Sequence, residues 1–178
     1  VTVTLREAKK MHDWTLNNAS VGFYEYEVLG DEVILSATKA EFHQGSPEQA
    51  THIGVLKKVC LPADCRGRRV RFFAQLFTQE TEGAGLWLTA SHNKWHITDG
   101  MYDRLVKGSC SWHDEQLVID IPEDASKVSC GLWMIGAGKC GLRSAKFEMV
   151  DESVPVTTDK FYDRVGPYEW VLRRMIDD

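Results

Sequence analysis

The sequence lacks most of what announces a familiar chemistry. None of its apolar runs approaches the roughly 20 residues of a membrane-spanning helix. The opening "VTVTLREAKK" has no apolar h-region, so no signal peptide is read there, although the chain opens on Val1 rather than Met. There is no basic surplus: the formal net charge is −5, which offers nothing to a nucleic-acid backbone. Cysteine is sparse and unpaired in spacing. Cys60, Cys65, Cys110, Cys130 and Cys140 are an odd number with no C-x-x-C motif. They read as reduced, mostly buried thiols of a cytoplasmic protein. No repeat or low-complexity tract is present. Amphipathic crossover helices, which a parallel α/β fold requires, are missing as well.

What remains is short strands and turns. The 178 residues are the size of one domain. "FYEYEVL" (23–29) alternates apolar and acidic residues, and "EVILSATKA" (32–40) follows the turn pair Gly30-Asp31. In "RVRFFAQLFT" (69–78), Val70, Phe72, Ala74 and Leu76 share one face and Arg71, Phe73, Gln75 and Phe77 the other. Aromatics on both faces predict a central strand. "AGLWLTAS" (84–91), "EQLVIDIP" (115–122), "SCGLWMIG" (129–136) and "SAKFEMVD" (144–151) supply four more. The expected fold is all-β, an antiparallel jelly-roll-like sandwich over residues 1–157. Short terminal helices are expected beside it. Residues 5–12 have helix-forming composition within an N-terminal arm, 1–13. In the C-terminal extension, 158–178, Tyr168, Val171, Leu172, Met175 and Ile176 fall on one helical stripe over about 167–176. That helix reads as a packed element or, more sharply, as a lid or a docking surface for a second copy or another protein.

Chemical motifs are few. Cys110 and His113 invite a nucleophile–base reading, but an extended strand over 109–113 would turn them to opposite faces. His92 and His96 in "HNKWH" have i, i+4 spacing, yet Asn93 and Lys94 suggest a turn and no third ligand is fixed. No metal site is therefore assigned. Loop carboxylates such as Asp99 and Asp103 leave a structural calcium open, as in many sugar-binding sandwiches, without an EF-hand loop to specify it. "GAGKCG" (136–141) lacks Walker spacing and reads as a hairpin turn. The arginines of "CRGRRVR" (65–71) read as a solvated strand entrance, with an anion patch as the minority reading. Six tryptophans are the more informative feature. Trp87 and Trp133 sit inside expected strands, where core packing is the default. Trp95 and Trp112 lie near loops, where an aromatic face can stack on a ligand.

Taken in order, "GRRVRFFAQLFTQETEGAGLWL" and "MYDRLVKGSCSWHDEQLVIDIPEDASKVSCGLWMIGAGKCGLRSAKFEMV" resemble the galactose-binding-like β-sandwich found beside bacterial AraC-type transcription regulators. The matching positions are Gly67 to Arg71, Gly85 to Trp87, Asp103, Arg104, Gly108, Trp112, Pro122 to Ala125, Gly136, Gly138, Phe147, Glu148 and Val150. The likeness covers roughly 65–157. It departs at "KCGLRSAKF", where that family commonly has a Trp and an Asp. The resemblance implies a non-catalytic module that binds a carbohydrate or another small molecule, with a sensory role. The candidate ligand-binding residues are Trp87, Trp95, Tyr102, Asp103, Trp112 and Trp133. The alternative is a stand-alone cyclase or isomerase that orients a hydrophobic natural-product intermediate in an enclosed pocket, without a recognisable nucleophile.

Overall fold

The computed structural model describes residues 2–4, 14–39, 53–60, 64–92 and 95–158. The expected helices over 5–12 and 167–176 lie outside the described residues. So do His43, His52, Asn93 and Lys94. Ten strands make up the described chain: β1 (Thr2–Thr4), β2 (Thr15–Leu16), β3 (Tyr24–Leu29), β4 (Glu32–Ala37), β5 (Ile53–Cys60), β6 (Arg69–His92), β7 (Trp95–Asp99), β8 (Val106–Asp120), β9 (Lys127–Ile135) and β10 (Lys139–Met149). Among the described residues no helix is long and apolar enough to cross a membrane.

All strand pairings are antiparallel. They form two layers joined by β6, a single 24-residue strand where two separate strands are expected from the sequence. Its first half lies between β10 and β8, and β10 continues to β4 and β3, with β1 beside the far end of β10. Its second half lies between β9 and β7, and β9 continues to β5 and β2. Side chains from both layers merge in one core, with Val70, Phe72, Leu76, Leu117 and Leu142 from the first and Leu56, Leu86, Leu88 and Leu132 from the second. The strand alternation of 2 produces this directly: residues 70, 72, 74, 76 and 78 are buried and 69, 71, 73, 75 and 77 half-buried.

The second half of β6 is buried on both faces. A separate cluster of Ile53, Val55, Trp87, Trp133 and Ile135 lies on the outer side of the second layer, with Tyr102 and Leu105 packed against it. Gly100 and Gly131 make room for it. A Cβ on Gly131 would stand 1.9 Å from the Leu56 carbonyl and 2.7 Å from Trp87 Nε1.

"GAGKCG" is a corner, not a hairpin. β9 and β10 do not pair with each other; the turn carries the chain from the second layer to the first. It crosses the irregular middle of β6, where Glu80 has φ 53°. Gly138 (φ 89°) approaches so closely that a Cβ would lie 2.3 Å from the Gln79 carbonyl. Gly30 (φ 67°) opens the β3–β4 turn as expected.

Candidate functional site

The aromatic and polar side chains that converge lie on the outer face of the first layer. On β6 this face carries Arg71, Phe73, Gln75 and Phe77, the alternate residues left after the core has claimed the others. Trp112 arrives from β8 through a bulge. Leu76 pairs with His113 but Thr78 pairs with Cys110, so β8 spends one residue more than β6. The indole meets the Phe77 ring edge-on, with centroids 4.6 Å apart and planes at 61°. The Arg143 guanidinium, from β10, sits 4.3 Å above the indole centroid, a cation–π contact. Gly141 on β10 makes way for Phe77: a Cβ there would be 2.5 Å from Phe77 Cε1 and 2.6 Å from Ile34 Cδ1.

Polar groups form a row across the strands beside these rings. Arg143 Nε donates to Gln75 Oε1 (2.8 Å), and Gln75 Nε2 donates to Asp114 Oδ1 (3.0 Å). Arg143 Nη1 reaches Glu32 Oε1 at 3.5 Å. Asp114, Gln75, Arg143 and Glu32 belong to β8, β6, β10 and β4, four successive strands. Arg71 pairs with Glu148 farther along the face, its Nε donating at 2.8 Å.

Of the candidate ligand-binding residues whose side chains are described, Trp112 alone is brought to this face. Trp87 and Trp133 are fully buried, and each indole N–H donates to a carbonyl: Trp87 to Leu56 (3.1 Å), Trp133 to Gly100 (3.0 Å). They have no exposed surface for a ligand. Tyr102 is half-buried in that cluster, 5.9 Å from Trp133. Trp95 opens β7 opposite His92, and its side chain lies outside the described set. Asp103 is 84% exposed and bonds Arg104 Nη1 at 3.0 Å.

Arg104 in turn serves Asp99, a carboxylate 3% exposed. Asp99 accepts from Arg104 Nη2 (2.7 Å), from the Met101 N–H (3.0 Å) and from Thr157 Oγ1 (2.5 Å). Burial alone would lower the Arg104 pKa, but the hydrogen bond and charge of Asp99 outweigh it and hold it above its ordinary value. This corner does not fit the calcium left open above. Its carboxylate is surrounded by hydrogen-bond donors, and a guanidinium supplies the positive charge. Among the described residues no three His, Cys, Asp or Glu side chains converge in a way that could hold a metal ion.

Two arginines of the cluster tie backbone segments together. Arg69 grips Asp120 through Nε (2.7 Å) and Nη2 (2.9 Å) and bonds the Glu152 and Val154 carbonyls. Arg66 bonds the Ala125 carbonyl at 2.8 Å. The expectation that Cys110 and His113 point apart is overturned: Sγ lies 3.4 Å from Nδ1. The extra residue in the bulge reverses the alternation between them.

No protein-family model matches the chain. The "Uncharacterized HTH-type transcriptional regulator YbfP" of Bacillus subtilis (strain 168) is 24% identical over 152 residues, 84% of this chain and 52% of the relative. The chain thus spans about half the length of that curated relative, whose name places it among HTH regulators without naming the AraC type. Solved structures with a similar fold include the C-terminal family 22 carbohydrate-binding module of Clostridium thermocellum Xyn10B (13% identity, TM-score 0.54, 85% of this chain and 95% of that one). The CBM22-1 xylan-binding domain of Paenibacillus barcinonensis Xyn10C is another (10%, 0.55, 85% and 94%). The chain also matches 20% of the enzymatically active domain of bacteriophage CBA120 tailspike protein 4 (12%, 0.54, 80% of this chain). At these identities the likeness is one of fold: an antiparallel β-sandwich of the kind that carbohydrate-binding modules use.

Proposed function

We propose that this domain is a non-catalytic carbohydrate-binding module whose ligand lies across the outer face of the first layer. The observation that carries the reading is the aromatic pair Trp112–Phe77 set beside the row Asp114, Gln75, Arg143 and Glu32. A sugar presents apolar C–H patches, which favour an aromatic surface, and hydroxyls, which need paired donors and acceptors. Carboxylate, amide and guanidinium groups supply both in fixed planes. The row crosses three inter-strand gaps, about 14 Å, the reach of a short oligosaccharide. The fold shared with xylan-binding modules supports this reading, and the regulator relative extends it to a module that senses its ligand.

The enclosed-pocket cyclase gains no observation. Between the layers lie Phe72, Leu76, Leu86, Leu117, Leu132 and Leu142, all at most 1% exposed.

Calorimetry and tryptophan fluorescence with xylo-, cello- and galacto-oligosaccharides test the proposal. Arg143 and Phe77 already cover part of the indole, so Trp112→Ala should weaken binding about tenfold, on the order of 1.4 kcal/mol. Arg143→Ala should weaken it too, and Tyr102→Phe, on the other layer, should not. Binding by no oligosaccharide, or binding indifferent to both Trp112→Ala and Arg143→Ala, would overturn the reading.

A further inference from the structure

We propose that Cys110, His113 and Glu115 form a thiol-modification site, at which Cys110 takes up a low-molecular-mass thiol as a mixed disulfide. The proposal stands apart from the carbohydrate reading and uses the opposite side of β8. Along that side the apolar residues Ile119 and Leu117 give way to Glu115, His113 and Cys110, as β8 runs past the part of the strand that the core covers. Cys110 is exposed, whereas Cys65, Cys130 and Cys140 are buried. Burial pushes the Cys140 thiol well above its ordinary range. Cys110 is the exposed thiol of the four.

Its surroundings suit a nucleophile. His113 Nδ1 faces Cys110 Sγ at 3.4 Å and the Ser111 carbonyl at 2.9 Å. His113 Nε2 faces Glu115 Oε1 at 3.3 Å. Both ring nitrogens therefore look at acceptors. A ring that has received the thiol proton donates on both sides: to Ser111 O and the sulfur from Nδ1, and to Glu115 from Nε2. Glu115 is a positioning residue that fixes the ring plane. Directly across the ladder from Cys110, Thr78 is 3% exposed, and its hydroxyl has no hydrogen-bond partner among the described residues. It is a spare donor on the neighbouring strand.

In the reaction, Cys110 passes its proton to His113 Nδ1, and Sγ attacks one sulfur of a small disulfide, R–S–S–R. The S–S bond breaks as the new Sγ–S bond forms. The displaced RS⁻ takes the proton from His113 and leaves as RSH. Cys110 is oxidised and half of the small disulfide is reduced. The exposed setting suits a small soluble reagent rather than a bound polymer.

The test uses oxidised glutathione on the whole protein, with the modified peptide identified by mass spectrometry. A free cysteine is only a few per cent thiolate at pH 7, so a proton acceptor can raise the rate by at most about 30-fold. The expected result is that native Cys110 reacts about tenfold faster than the same residue in the protein unfolded in urea. His113→Gln should lose that advantage. Glu115→Gln should shift the pH dependence of the rate without abolishing modification. Native Cys110 reacting no faster than in the unfolded chain overturns the proposal, and this comparison needs no variant. A rate and pH profile unchanged in His113→Gln overturn it equally.

Discussion

Asp99→Ala separates a structural corner from a ligand-binding one. Asp99 ties three pieces together: the loop carrying Met101 and Arg104, its own strand β7, and the segment after β10 that carries Thr157. Thr157 relays the hold, because its Oγ1 also accepts the Val118 N–H at 2.7 Å and its own N–H donates to the Val118 carbonyl at 2.9 Å. Hydrogen bonds to a charged group contribute about 1.5–3 kcal/mol each. The Arg104 bond belongs at the lower end, since that side chain is 33% exposed. The substitution also leaves the N–H of Met101, at 0% exposure, without its acceptor, a loss of roughly 1–3 kcal/mol. The expected destabilisation is about 3–5 kcal/mol, the range for breaking a buried charged pair. For a domain of this size that lowers Tm by about 10 °C. Urea unfolding should show a lower midpoint at unchanged slope. Asp103→Asn removes only a surface contact and should stay within about 0.5 kcal/mol of the parent. Millimolar calcium should leave Tm unchanged, because the guanidinium already provides the charge. A loss below about 1 kcal/mol for Asp99→Ala, or a Tm raised by calcium, refutes the reasoning.

Two further outcomes follow from the same contacts. The Arg69 guanidinium hydrogen-bonded to Asp120 holds that carboxyl below the usual carboxylate range, against a smaller opposing effect of burial. A depressed folded value means the contribution is fully present above the unfolded value of about 4 and is lost as the pH falls through the depressed one. The urea midpoint should therefore drop less between pH 6 and pH 3 in Asp120→Asn than in the parent. Gly131→Ala should destabilise by roughly 3 kcal/mol or more, because its Cβ meets the Leu56 backbone carbonyl, which cannot move without unpairing β5 from β9; thermal unfolding followed by tryptophan fluorescence reads the loss.

Much of the sandwich was legible because strands announce themselves by alternation. The faces of 69–78 follow directly from the residue order, and the half of that pattern left over by the core, Phe73, Gln75 and Phe77, lies on the face that carries the candidate site. It passed as a sign of a central strand, since an aromatic on a second face can equally pack under another layer. Gln75, Phe77, Asp114 and Arg143 were missed as site residues because their meeting depends on which strands neighbour β6. That order is fixed by contacts distant in sequence. Trp87 and Trp133 misled for the opposite reason. A tryptophan inside a strand can face a ligand as well as the core, and here Gly131 makes room for the buried Trp87 ring. β5 escaped notice because "IGVLKKVC" carries two lysines, of which Lys58 is 4% exposed.

The stretch "GSCSWH" shows how little sequence decides such a site. Between the pairs Leu76–His113 and Thr78–Cys110, β6 advances two residues and β8 three. With equal counts, strict alternation would set Cys110 and His113 on opposite faces. The one extra residue changes the phase. Cys110 and His113 now share the side of the sheet that continues into the core, and Trp112 is turned outward over Phe77 beneath Arg143. Gly108, at φ 72°, marks a second irregularity where β8 meets Thr81. A bulge is an edge-strand device, tolerated because among the described strands β8 pairs with β6 alone and keeps register with no second one. The aromatic platform and the thiol cluster are thus two faces of one local choice, and the domain gains both without disturbing the ladder of Leu117 and Ile119 that holds β8 to the core.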